Sequence, residues 1–229
     1  MNFLGHVFVA SWRRGTGDDA APYAFGSMIP DFVGMARARV LEVDHDATAE
    51  GVALHHETDD VFHNSPVFTE LMEETRHELE SAGVRRGTSL AVGHVGAELL
   101  LDGWLLACDR ERGGHVGALY ESALAAGETL CPRIRFRSDE GEARMRALLG
   151  RLRTYGLEGH EAVDVILERL ERALGGRERL RILPNDRDAV RAALIRCQGA
   201  VHERAPEWMD YLHERLADTD DRPRKRTPL

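Results

Sequence analysis

The chain has 229 residues, 43% hydrophobic and 30% charged, with a formal net charge of -9. That is enough for one large domain or two small ones around a real core, and the acidity excludes nonspecific nucleic-acid binding through bulk charge. Cys108, Cys131 and Cys197 are far apart and form no C-x-x-C pair, so they read as reduced thiols of a cytoplasmic protein; no signal peptide is evident, and the nearest approach to a membrane span, 89–107, is interrupted by His94, Glu98 and Asp102.

Helical periodicity runs along the chain and strand signals are nearly absent, which predicts an all-α, single-domain helical bundle over 1–217. Residues 2–13 form a short apolar helix carrying His6. A polar loop follows, and 22–29 read as a second short helix that stops near Pro30-Asp31. A helix at 47–62 carries His55, His56, Asp59 and Asp60. Asn64-Ser65-Pro66 is a stop-and-start signal, a capping side chain followed by Pro at the first helical position. The helix after it runs to about Ser81, and Gly83 ends it.

Thr88 is placed to cap the next helix, which carries His94, Glu98 and Asp102. Arg133, Arg135 and Arg137 alternate with Ile134 and Phe136; an extended segment would turn all three one way, toward a phosphate or an acidic partner, and a solvated loop is the plainer reading. Further helices are expected at 115–128, 139–154, 160–174 and 186–216, with Pro206 kinking or splitting the last. From 218 the tail is charged, contains Pro223 and Pro228, and reads as disordered.

The chemistry-bearing residues are histidines and acids at helical spacing. Residues four apart share a helix face with a rise of about 6 Å, so His55 with Asp59, and His56 with Asp60, can each reach one ion. Burying such groups is costly unless they are paired or coordinated. His94 and Asp102 lie about 12 Å apart along one axis, so they cannot share an ion from the same helix. Either Glu98 with Asp102 or a single member of that line is a ligand; an acidic stripe paired with Arg is the other reading. By local pattern alone, His6 reads as a core histidine and Asp31 as a turn residue. Imidazole with carboxylate and no thiolate suits Mn²⁺, Mg²⁺, Fe or catalytic Zn²⁺, ions that activate water and clamp phosphate oxygens.

The opening Met1-Asn2-Phe3-Leu4-Gly5-His6 resembles the start of the acyl carrier protein phosphodiesterase family. Gly26-Ser27-Met28-Ile29-Pro30-Asp31-Phe32-Val33 is similar to that family's Gly-Asn-Leu-x-x-Asp-Phe-Val segment. His55, Asp59, Asn64 and Pro66 fall on its Gly-x-x-x-His-x-x-x-Asp…Asn-x-Pro pattern. The resemblance reaches to about residue 105. It departs where the family reads Asp-x-x-x-Asp-His-Phe-Leu, because here Gly103 follows Asp102, and where His63 replaces an acid.

The resemblance implies an HD-like helical fold and hydrolysis of the phosphodiester joining 4′-phosphopantetheine to a Ser of acyl carrier protein. It implies Mn²⁺ as the metal, ringed by His6, Asp31, His55, Asp59 and Asp102. In that scheme His56, His94 or Glu98 assists proton transfer. Two alternatives stay open: a small nucleotide or phosphorylated metabolite as substrate, or a non-enzymatic helical protein with a structural metal or ion-pair cluster. No nucleic-acid or membrane partner is expected.

Overall fold

Local signals set several helix ends. The Ser65 hydroxyl accepts from the Phe68 N–H and Pro66 takes the first helical position, so one helix stops and the next begins within three residues. The computed structural model describes residues 1–15 and 17–220. Those residues form a mostly helical single domain: α1 (Phe3–Arg14), α2 (Ala20–Ala36), β1 (Val40–Val43), α3 (Asp46–His63), α4 (Pro66–Ser81), α5 (Arg86–Glu111), α6 (His115–Leu130), β2 (Ile134–Phe136), α7 (Gly141–Tyr155), α8 (Val163–Gly175) and α9 (Arg187–Asp220). The expected disordered tail from 218 overlaps the end of α9, and 221–229 lie outside the described residues.

Four local expectations are corrected. The second helix does not stop at Pro30; it runs on to Ala36. An interior proline costs about 3 kcal/mol. The helix also buries Phe25, Met28, Ile29 and Phe32 completely, at roughly 1.5–3 kcal/mol each, so packing outweighs the lost hydrogen bond. In the same way α9 continues unbroken past Pro206, with Ala205, Trp208 and Leu212 buried on either side of it. Thr88 does not cap α5; its hydroxyl donates to the Arg181 carbonyl instead. The alternating arginine segment is a strand rather than a loop. Ile134 pairs with Val43 and Phe136 with Val40, while the Arg135 guanidinium sits 2.7 Å from Glu42 and that of Arg133 3.7 Å from Asp44.

α5 runs through the middle of the domain against α1, α4, α6, α8 and α9. By length and composition it could cross a membrane, but Leu99, Leu100, Leu101, Leu105 and Leu106 are buried against those neighbours.

α2 and α3 meet backbone to backbone. A Cβ on Gly26 would fall 2.1 Å from the Thr48 carbonyl oxygen, and one on Gly51 would fall 2.1 Å from that of Tyr23. Asp31 lies just over a turn beyond Gly26, and His55 one turn beyond Gly51, so this crossing sets how the two side chains face each other. Gly51→Ala should therefore force the helices apart and lower stability by about 1–3 kcal/mol in urea denaturation. Gly34→Ala, in open space on α2, should be neutral or stabilising by up to ~1 kcal/mol. Equal effects would contradict so close a crossing.

Candidate metal centre

Three helices bring together residues that the sequence holds far apart. His6 comes from α1, Asp31 from α2 and His55 from α3, and one ligand atom of each lies within 4.8 Å of the other two. The His6 and His55 rings stack with centroids 4.1 Å apart. Asp59, one turn after His55, reaches both imidazoles: Oδ1 is 3.3 Å from His6 Nε2 and Oδ2 is 3.3 Å from His55 Nε2. The Met1 α-amino group donates to Asp59 Oδ1 at 2.7 Å and lies 3.2 Å from Glu98 Oε1.

This cluster fits a cation. His6 is fully buried, yet neither ring nitrogen makes a hydrogen bond among the described residues; its approach to Asp59 lacks hydrogen-bond geometry. Asp31 keeps part of its side chain in solvent, but its Oδ2 is enclosed, also without a donor, 3.9 Å from His6 Nε2. Buried acceptors of this kind cost about 1–3 kcal/mol each when left unpaired. His55 is oriented from behind, because its Nδ1 lies 2.8 Å from the Ser27 carbonyl oxygen. A carbonyl only accepts, so Nδ1 carries the proton and Nε2 faces the cluster, the usual arrangement behind a metal-bound imidazole.

The charges are strongly unequal. Burial pushes the His6 imidazole down to about 3, which keeps it neutral, and pushes the Asp31 carboxyl up to about 6. Burial also opposes charge on Asp59, but His55 and the Met1 ammonium hold its carboxyl well below the ordinary range. For His55 burial works against the proton, and the neighbouring Asp59 and Asp31 more than offset it, so its pKa is raised.

A second group adjoins the first. His63, at the end of α3, and His94 and Glu98 of α5 also bring their ligand atoms within 4.8 Å of one another. His63 Nε2 is 3.0 Å and His94 Nε2 3.3 Å from the same Glu98 oxygen. Burial resists ionisation of Glu98, but the Met1 ammonium, His63 and His94 keep its carboxyl far below the usual range. The sequence reading noted His63 only as a replaced acid. Spacing could have found it: 55, 59 and 63 fall on one face of α3, as 94, 98 and 102 do on α5.

Asp102 stands apart from both groups. Its carboxylate accepts from the Gly5 N–H at 2.8 Å, the Leu4 N–H at 3.3 Å and the Asn2 side-chain amide at 2.7 Å, so it caps the start of α1. Burial nonetheless pushes its carboxyl up to about 7, against the pull of those donors. Gly103 has its own reason. A Cβ there would lie 2.5 Å from the His160 carbonyl oxygen, so the main chain leading into α8 fills the place of a side chain. His56 is exposed and borders a surface cleft of about 480 Å³ shared with Pro30, Arg37 and Arg39. Asp60 is also exposed and accepts from Asn64.

No protein-family model, no curated protein and no solved structure matches the chain.

As a helix cap, Asp102 should matter to stability rather than to metal uptake. Asp102→Ala should cost about 1–3 kcal/mol in denaturation, and Asp102→Asn less. Both should bind as much Mn²⁺ per chain as the unaltered protein in equilibrium dialysis with elemental analysis. A lost ion would return Asp102 to the ligands.

Proposed function

We propose that this protein is a metal-dependent phosphodiester hydrolase on a helical, HD-like scaffold. The observation that carries the reading is the convergence of His6, Asp31, His55 and Asp59, in which the buried His6 ring nitrogens and Asp31 Oδ2 find no hydrogen-bond partner among the described residues. His6, Asp31 and His55 would hold the divalent ion, with Asp59 beside the two imidazoles. A bound Mn²⁺ or similar ion supplies a lowered pKa for water and a clamp on phosphate oxygens. Mn²⁺ is the first choice, with Mg²⁺, Fe and Zn²⁺ compatible with the same donors.

Proton transfer falls to His56, the one of the three sequence-derived candidates that borders the cleft. Burial and the neighbouring His55 lower its pKa, so it is neutral at pH 7 and able to accept a proton. Arg37 and Arg39 line the same cleft, at the end of α2 and in the turn before β1, and guanidinium groups suit the oxygens of a phosphate. The N-terminal resemblance makes the phosphopantetheine link of acyl carrier protein the first substrate to try. A small nucleotide or phosphorylated metabolite is the alternative substrate. The three free cysteines agree with a reducing, cytoplasmic setting.

With Mn²⁺ and a chromogenic phosphodiester, His55→Ala and Asp59→Ala should each lower the rate by ~100-fold or more. Chelation should abolish it, and added Mn²⁺ should restore it. Full activity in either variant would end the hydrolase reading. Mass spectrometry of holo acyl carrier protein after incubation separates the substrates: loss of the phosphopantetheine mass supports the carrier protein, and an unchanged mass favours a small phosphorylated one.

A further inference from the structure

The geometry points to a second divalent-cation site, built by His63, His94 and Glu98, beside the one formed by His6, Asp31 and His55. It needs no assumption about catalysis, since an inert protein could hold both ions.

The two groups repeat one design. Each has two imidazoles and one carboxylate, the three-ligand composition of metal sites that keep an open position rather than of closed structural ones. Each pair of rings lies nearly parallel: 24° at 4.1 Å for His6 and His55, and 20° at 5.0 Å for His63 and His94.

Each group also has one histidine locked from behind by a main-chain carbonyl. His55 Nδ1 meets the Ser27 oxygen at 2.8 Å, and His63 Nδ1 meets the Asp59 oxygen at 3.0 Å. With Nδ1 donating, Nε2 of His63 is left facing Glu98 Oε1 at 3.0 Å. Two acceptors that close need a cation between them, either a proton or a metal ion. His94 Nε2 converges on the same oxygen from the next turn of α5. Phe68 packs edge-on against both rings, at 5.1 Å from His63 and 5.0 Å from His94, and fixes their orientation.

The two sites differ in access. His6 and His55 are buried, whereas the His94 side chain is 42% exposed and that of His63 30%. The second site can therefore exchange its ion and admit an outside ligand. Asp59 joins the two, with its carboxylate toward His6 and His55 and its carbonyl toward His63. On this assignment His94 and Glu98 are metal-binding residues, not proton carriers.

The test counts ions on the full chain. Metal-free protein is dialysed against Mn²⁺ and analysed for bound metal. Unaltered protein should hold two ions per chain; His63→Gln/His94→Gln should hold one, and His55→Gln should keep the ion of the second site. Two ions in the double variant, or one in the unaltered protein lost only with His55→Gln, would overturn the proposal. Should the double variant misfold by circular dichroism, electron paramagnetic resonance of the unaltered protein still decides. A free six-line Mn²⁺ signal that stays absent until two equivalents are added supports the second site, and one that appears from the first equivalent onward refutes it. Two bound ions with no phosphodiesterase activity would sink the hydrolase reading alone. Activity with a single bound ion would sink the second site alone.

Discussion

Asp59 cannot stay ionised in a half-buried site without positive charge beside it, and the stacked rings of His6 and His55 cannot both supply that charge cheaply. The rest of the centre answers to this constraint. The glycine contact between α2 and α3 brings the Ser27 carbonyl behind His55. Asp102 anchors the first turn of α1, which carries His6 one residue beyond the capped Gly5 N–H. Without that anchor, a fully buried imidazole at the start of a helix would have little to fix its position.

Four acids line this region, and their surroundings give them three roles. Asp102 accepts three hydrogen bonds and serves the backbone. Asp59 and Glu98 are held ionised by neighbouring positive groups despite their burial. Asp31 is pushed up by enclosure, with an oxygen that finds no donor among the described residues. Identical chemistry is separated by environment, as happens wherever buried carboxylates must do different work.

The second half of the chain, which carries no motif resemblance, builds the walls. Trp208 of α9 stacks on Phe62 at 4.8 Å, next to His63, and steadies the end of α3. The segment before α8 lies on Gly103 and closes that side of α5. Its His160 accepts from Arg169 at 3.0 Å, and burial pushes that imidazole down to about 4, so it packs there as a neutral group. The contribution of these helices is thus to enclose rather than to ligate.

Much of this was legible in the residues themselves. Periodicity gave the helical class, and the Ser65-Pro66 pair marked the break between α3 and α4 because capping is a local hydrogen bond. The four-residue spacing of His55 and Asp59 told that they share a face. Local signals misled at Pro30, and at Pro206 as far as a split was expected, because buried apolar side chains outweigh one missing backbone hydrogen bond. They also misled at Thr88, whose hydroxyl finds a carbonyl more than ninety residues away.

By itself, then, the sequence determined which residues could bind a cation and which helix faces carry them, since both follow from side-chain chemistry and helical geometry. Only the tertiary structure decided that His6 and Asp31 meet His55, that His63 joins His94 and Glu98, and that Asp102 turns to the backbone of α1. Those outcomes depend on how closely helices approach and which donors a buried carboxylate meets first, and these are contacts between segments that no local pattern encodes.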